Sequence, residues 1–471
     1  MKETKDIQIP VEHKQLINTD LAHHYGIIPK GEQNDELLLY IDQAKWSPDI
    51  KDELELFLGR PVSFDKVSSE RLNKALFVYY RKSSSGDTLI NNNTANQISF
   101  LEDLIYEAKA IGSSDIHFEV YEEESRARLR IDGVLVEKYK VPKENYLELV
   151  NKIKIESNLD ITEKRLPQDG RINYEDFDIR VSILPTLHGE KVVMRLLGKD
   201  ASNIELEDLG FEIDEQEIYL EAVKKSNGIV LISGPTGSGK TTTLYATLKL
   251  LNDIKRNIVT VEDPIEYTLK GINQVQLKED IGLTFATALR SFLRQDPDII
   301  MLGEIRDGET AKMAIRASLT GHLVLSTIHT NSAIGTISRL IDMGVPAFYI
   351  AETLNVSVAQ RLVRKLCVRC KEEIEFDVRE LPKSYRIPRV LNRHYIPNGC
   401  QDCFYTGYKG RRAIYEIVPV TEEVIKAIKQ DNHQLKQALG KSHQSLADKA
   451  FNLLENGETS LEEIYALLIN T

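Results

Sequence analysis

The chain has 471 residues, of which 42% are hydrophobic and 28% charged, with a formal net charge of −12. That length exceeds one ordinary domain, and the composition excludes a disordered or fibrous chain. The acidic balance argues against a protein that mainly grips a nucleic-acid backbone, and no apolar run approaches the ~20 residues that cross a bilayer.

The polar start, Met1-Lys-Glu-Thr-Lys-Asp6, lacks the apolar stretch of a signal peptide. A cytosolic protein is therefore expected, touching membranes only through a partner. Residues 1–81 read as a mixed α/β segment, with a strand over 37–41 and a helix over 69–80. Small polar residues then dominate, in Arg81-Lys-Ser-Ser-Ser-Gly-Asp87 and Asn91-Asn-Asn-Thr-Ala-Asn96. This composition predicts a linker over 82–97. A second domain, 98–200, opens with an amphipathic helix over 100–111, apolar at Leu101, Leu104, Ile105 and Ala108. Alternating strands follow over 116–119 and 127–131, then arginine-rich strands over 178–184 and 190–197.

The third domain, 205–471, carries the strongest signal. Ile229-Val-Leu-Ile-Ser-Gly-Pro-Thr-Gly-Ser-Gly-Lys-Thr-Thr-Thr243 is a buried-strand pattern running into a phosphate-binding loop. Gly234, Gly237 and Gly239 let bare backbone curl its N–H groups around phosphate oxygens, with Pro235, Thr236 and Ser238 between them. Lys240 adds a mobile cation and Thr241 a hydroxyl for Mg²⁺, followed by Thr242. A helix predicted over 240–251 aims its positive end at the same spot. These residues imply binding of a nucleoside triphosphate.

Two further apolar runs end in acids: Ile258-Val-Thr-Val-Glu262-Asp-Pro-Ile-Glu266, and Pro297-Asp-Ile-Ile-Met-Leu-Gly303-Glu304-Ile-Arg-Asp307. In a parallel sheet their carboxyl ends open onto the nucleotide. Hydrolysis needs one carboxylate to position or deprotonate water and another to hold Mg²⁺ through its water shell, and Glu304 and Glu262 are the candidates. Gly303 stands where a metal-binding Asp is common, which makes water-mediated contact the expectation. His322 and His329 bracket another strand, Thr320-Gly-His-Leu-Val-Leu-Ser-Thr-Ile-His-Thr330. Seven positions apart, they face opposite ways, so they do not share a metal; each either senses a phosphate or simply packs and caps. Arg171, Arg180, Arg195, Arg290 and Arg294 are either solvated or available to a phosphoryl transition state.

The four cysteines form two pairs, Cys367-Val-Arg-Cys370 and Cys400-Gln-Asp-Cys403, separated by the 29 residues 371–399. In a reducing compartment this spacing suits tetrahedral zinc, with a redox pair or unliganded thiols as alternatives. Four thiolates leave no open coordination position, so the site is structural in kind. The gap exceeds that of a zinc ribbon and implies an inserted subdomain over 359–415. The tail after Val418 reads as helical, with a capping box from Ser460 to Glu463.

Taken in order, the phosphate loop, the acidic box 260–266, the Gly303-Glu304 strand 299–307 and the histidine box 320–330 resemble the secretion ATPases of type II secretion systems and type IV pili. The second domain is similar through Ser114-Asp-Ile-His-Phe-Glu119, Arg130-Ile-Asp-Gly133, Arg165-Leu-Pro-Gln-Asp-Gly-Arg171 and Arg180-Val-Ser-Ile-Leu-Pro-Thr-Leu-His-Gly-Glu190. The resemblance implies an α/β fold: a RecA-like phosphate-loop ATPase domain, a preceding PAS-like α+β domain, a small N-terminal domain and a zinc-binding tetracysteine insert. It implies a homo-hexamer using ATP, Mg²⁺ and Zn²⁺, with nucleotide between the two halves of each subunit. Glu304 would be the general base or water positioner, with Glu262 supporting metal or water. His322 and His329 would sit near the terminal phosphate, and Arg180, Arg195, Arg290 and Arg294 would respond to its charge.

The family pattern also implies a peripheral position on the cytoplasmic face of the inner membrane. The partners would be a polytopic platform protein and a membrane-anchored assembly protein that docks the N-terminal domain, with no nucleic acid. Gly399-Cys-Gln-Asp-Cys-Phe-Tyr-Thr-Gly-Tyr-Lys-Gly-Arg411 resembles assembly-type members rather than retraction motors. A short N-terminal region favours type II secretion over pilus extension. A nucleic-acid transfer motor is the alternative from another class, and a regulatory nucleotide switch a third.

Overall fold

A computed structural model describes residues 17, 19–33, 36–58, 60–69, 71–72, 75–76, 94–175, 177–198, 204–383, 385–389, 391–430, 434–440 and 443–469. The chain divides into two compact units, Met1–Ser99 with Asn398–Gly407, and Phe100–Pro397 with Tyr408–Thr471. Most of the expected linker 82–97 lies outside the described residues, as does part of the expected helix 69–80; residues 94–97 are helical, opening the helix Thr94–Ala110. Among the described residues, no helix is long and apolar enough to cross a membrane.

In the first unit, β1 (Ile27–Gln33), β2 (Glu36–Asp42) and β3 (Val62–Val67) form a sheet in that order, with β2 and β3 parallel. Strict alternation places Leu37, Leu39 and Ile41 in a core with Leu54 of the helix Pro48–Leu58. The second unit begins with a six-stranded antiparallel sheet. Its strands are β4 (Asp115–Val120), β5 (Ser125–Ile131), β6 (Val134–Val141), β7 (Gln168–Asn173), β8 (Phe177–Thr186) and β9 (Gly189–Gly198), ordered β6-β5-β4-β9-β8-β7. On β5 every second residue is buried, and Leu101, Leu104, Ile105 and Ala108 of the first helix are buried as their spacing requires.

The remainder is a seven-stranded sheet flanked by helices. It holds β10 (Gly228–Ser233), β11 (Ile258–Glu262), β12 (Asn273–Gln276), β13 (Ile299–Leu302), β14 (Leu323–Ile328), β15 (Leu354–Leu366) and β18 (Tyr408–Pro419), ordered β12-β11-β13-β14-β10-β15-β18. All pairings are parallel except β15 with β18. Every residue of β10, β11, β13 and β14 is buried, as expected of strands covered on both faces. Between β15 and β18 lies the cysteine-bearing insert, with its own hairpin of β16 (Glu372–Glu375) and β17 (Arg393–Ile396). Contacts bind the antiparallel sheet to this part: Arg180 donates to Glu266 Oε2 at 3.2 Å and to the Ile265 carbonyl, and Gly410 N–H donates to Asp132 Oδ2 at 2.7 Å.

Candidate active site

The parallel register sets the site. Ser233 pairs with Ile328, Leu302 with Ser326, and Val261 with Leu302. The phosphate loop, Glu262, Glu304 and His329 therefore emerge from one edge of the sheet, at the carboxyl ends of four strands. His322 does not join them. It precedes β14, whose first residue pairs with Gly228 at the opposite edge, and its Nδ1 lies 2.9 Å from the Ala317 carbonyl. In this single chain His322 and His329 stand at opposite ends of β14.

The helix Lys240–Leu251 starts where its pattern predicts, on Gly239 as N-cap with φ 89°. An L side chain is strained at that angle, and a Cβ there would meet Gln360 Nε2 at 2.8 Å. Lys240 Nζ donates to the carbonyls of Gly234 and Pro235 at 2.8 and 2.9 Å. Burial holds the Lys240 ammonium below its ordinary pKa, with the Arg361 charge acting in the same direction and Glu304 opposing. Thr241 is exposed beside the loop and Thr242 is half-buried.

Glu304 accepts a hydrogen bond from Arg306 Nη2 at 2.6 Å and lies 3.0 Å from His329 Nε2. Burial raises its pKa, but the Arg306 and His329 interactions outweigh that and hold it below the usual carboxylate range. It is charged at neutral pH and only weakly basic, which suits holding and orienting a water more than wholesale proton removal. Arg306 also reaches Asp263 Oδ2 at 3.2 Å, so one guanidinium ties the two acidic boxes. Arg306 stands two residues after Glu304 in the same acidic strand motif, and that spacing is the sequence signal for its contact with the acid.

Glu262 is 3% exposed, and its carboxylate accepts from the Tyr245 hydroxyl, from Thr260 Oγ1 at 2.6 Å and from Gln274 Nε2 at 3.2 Å. Three donors hold it, and through Tyr245 it braces the phosphate-loop helix. Arginines expected to answer phosphate charge have other partners in the single chain. Arg195 Nε donates to Asp115 Oδ1 at 2.9 Å, Arg290 pairs with Glu309, and Arg294 donates to the Arg290 carbonyl at 2.8 Å. Arg171 pairs with Asp178. Arg180, held on Glu266 and Ile265, touches the loop that follows β11, as Arg306 does through Asp263.

The ligand atoms of Cys367, Cys370, Cys400 and Cys403 all lie within 4.8 Å of one another. The Cys400 and Cys403 sulfurs are 3.8 Å apart. Zinc–thiolate bonds of ~2.3 Å at tetrahedral angles give a sulfur–sulfur edge of about 3.8 Å, so the set fits a four-thiolate metal. Cys367 and Cys403 are buried and the other two half-buried, which keeps solvent from the centre.

The chain is similar to proteins of known identity. The type II secretion system protein E of Pseudomonas aeruginosa is 42% identical over 446 residues, 88% of either chain. The type IV pilus assembly ATPase PilB of Myxococcus xanthus is 39% identical, covering 98% of this chain and 87% of that one. Among solved structures, the pilus retraction motor PilT with bound ADP is 27% identical at a TM-score of 0.54, covering 77% of this chain and 94% of that one. The Legionella pneumophila ATPase DotB has a TM-score of 0.61 over 82% of this chain and 98% of its own; at 21% identity it speaks to the fold alone, a RecA-like one. The family model for type II/IV secretion system proteins matches residues 91–466, and the chain belongs to that family.

Proposed function

We propose that this chain is the ATPase of a type II secretion system, coupling ATP hydrolysis to assembly of a pilus-like fibre. The observation that carries the hydrolytic reading is the convergence of Lys240, Glu304 and His329 at one sheet edge. Lys240 and the loop amides hold the phosphates, with Thr241 on Mg²⁺, which neutralises developing phosphate charge. Glu304 fixes the attacking water, with its rotamer set by Arg306 and His329. Arg180, Arg195, Arg290 and Arg294 answer phosphate charge when a hexamer assembles, exchanging their present partners for the nucleotide; those from a neighbouring subunit act in trans. Glu262 supports the site indirectly.

In this reading, residues 1–81 dock a membrane-anchored assembly protein and 82–97 act as linker, while the ATPase domain drives a polytopic platform protein from the cytoplasmic face of the inner membrane. Zinc holds the tetracysteine insert. Pilus extension is the second reading, favoured by the likeness to PilB over 98% of the chain.

The central test is hydrolysis by the full chain. Lys240→Ala is expected to lose at least ~100-fold in turnover while keeping its fold. Glu304→Gln is expected to bind ATP and hydrolyse it about 10²–10⁴-fold more slowly; a two-fold loss would reject its assignment. Disrupting the gene separates the two machines: loss of exported enzymes from the medium with pili intact supports secretion, and the reverse supports pilus extension.

A further inference from the structure

One arginine beside the phosphate loop belongs to none of the motifs that point to nucleotide. β15 runs parallel to β10 with Ser233 opposite Ala359, so the next two residues pass alongside the start of the loop. Gln360, 2% exposed, accepts from Thr243 Oγ1 at 2.9 Å. Arg361 reaches across. Its Nη1 donates to the Gln360 carbonyl at 2.9 Å and its Nη2 to the Asn331 carbonyl at 3.0 Å. A Cβ placed on Gly234 would lie 3.1 Å from that Nη1. The guanidinium thus spans from the first glycine of the loop to the segment two residues beyond His329.

Its charge is set against other charges in an instructive way. Among the described residues, no carboxylate forms an ion pair with Arg361, although the buried Glu416 favours its charge at longer range. Lys240, itself half-buried and held on the Gly234 carbonyl, feels Arg361 as a repelling neighbour. Two partly desolvated cations this close are costly unless an anion covers both. Two carbonyl bonds use only part of a five-donor fork, and a planar fork matches phosphate oxygens.

We propose that Arg361 is a phosphate-binding residue supplied by the same subunit, contacting the terminal phosphate of the bound triphosphate. The proposal rests on the reading of Gly234–Thr241 as a triphosphate site. Its position between Gly234 and the end of the histidine-bearing strand places it at the terminal end of the phosphate chain, and its anchorage on two backbone carbonyls fixes the fork before nucleotide arrives. Through Asn331 the same guanidinium reports phosphate occupancy to the segment after His329. An arginine that merely braced the two loops would not distinguish a diphosphate from a triphosphate.

The test uses calorimetric titration of full-length wild type, Arg361→Gln, Arg361→Lys and Lys240→Ala with ADP and with a non-hydrolysable ATP analogue, each with Mg²⁺. Arg361→Gln is expected to bind ADP within about three-fold of wild type and the analogue about 10- to 100-fold more weakly, the loss of a charge-assisted contact. Arg361→Lys keeps charge and bulk without the fork and should fall between them. It carries the test should the glutamine variant fail to fold. Unchanged binding of the analogue would overturn the proposal, as would an equal loss of both nucleotides, which marks a brace. Lys240→Ala monitors the premise: if it binds both nucleotides as wild type does, the triphosphate reading fails whatever Arg361 does.

Discussion

At the level of single side chains, Glu304 owes its depressed pKa to Arg306 and His329, against the opposing effect of burial. Removing one cation must raise that pKa. Arg306→Gln is therefore expected to move the acid limb of the turnover–pH profile to higher pH, since the carboxylate then protonates sooner as pH falls. An unmoved limb, with turnover merely scaled down, would show that Glu304 ionisation does not govern the rate. The acids themselves were legible because phosphate chemistry demands carboxylates after buried strands. Their loading was not. Glu262 and Glu304 look alike in sequence, yet one accepts from Tyr245, Thr260 and Gln274 while the other faces Arg306 and His329. Those partners lie up to 25 residues away in the chain, beyond the reach of any local pattern.

At the level of strands and helices, periodicity located the buried strands around the phosphate loop and the helix that follows it, but not the helices Phe285–Phe292, Gly308–Leu319 and Ala333–Asp342 or the long strands β15 and β18. Backbone geometry there is dictated locally, by buried apolar runs and by glycines that no other residue replaces. The helix Lys240–Leu251 has the predicted bounds, and the expected strand 178–184 extends to Phe177–Thr186. The predicted capping box was half right. Ser460 Oγ accepts from Glu463 N–H at 3.3 Å, but the Glu463 carboxylate is taken by Arg364 Nε at 2.7 Å, a tertiary claim that outbids the local one. β4 shows the same limit. All six of its residues are buried, charged ones included. Glu119 is pushed up by burial, but Arg128, Lys191 and Arg126 prevail and hold it at about 2. A carboxylate depressed in the fold stabilises above its unfolded pKa and loses that contribution as pH falls toward the folded value. Glu119→Gln should then cost about 3 kcal/mol at neutral pH, with the gap from wild type closing between pH ~4.5 and ~2. Urea unfolding at pH 7 and pH 3 checks this, and a gap independent of pH would refute it.

For the molecule as a whole, cysteine spacing foretold a metal-shaped cluster because thiolate coordination needs little more than four sulfurs at the right separation. The insert's own hairpin, β16 with β17, lay beyond that reasoning, since spacing alone says nothing of how 29 residues fold. If zinc holds the insert, purified protein should carry one zinc per chain. Cys370→Ser should lose it, and protease should then cut preferentially between 368 and 399. Wild type that is metal-free and unaffected by chelators would discard the centre. The arginine roles were the least readable feature, because Arg290 and Arg294 pair within the chain, with Glu309 and the Arg290 carbonyl, and a guanidinium's sequence position does not say what it pairs with.

β15 has a mechanical corollary. It is 13 residues long, with Arg361 near its middle and Leu366 next to Cys367, and its pairing with β18 shifts register between Arg364 and Leu366. At about 3.3 Å per residue, some 20 Å of ribbon joins the nucleotide's rim to the sulfur knuckle. One strand thus carries both Arg361, beside the phosphate loop, and the approach to the cysteine knuckle, with a bulge between them where the ribbon can bend.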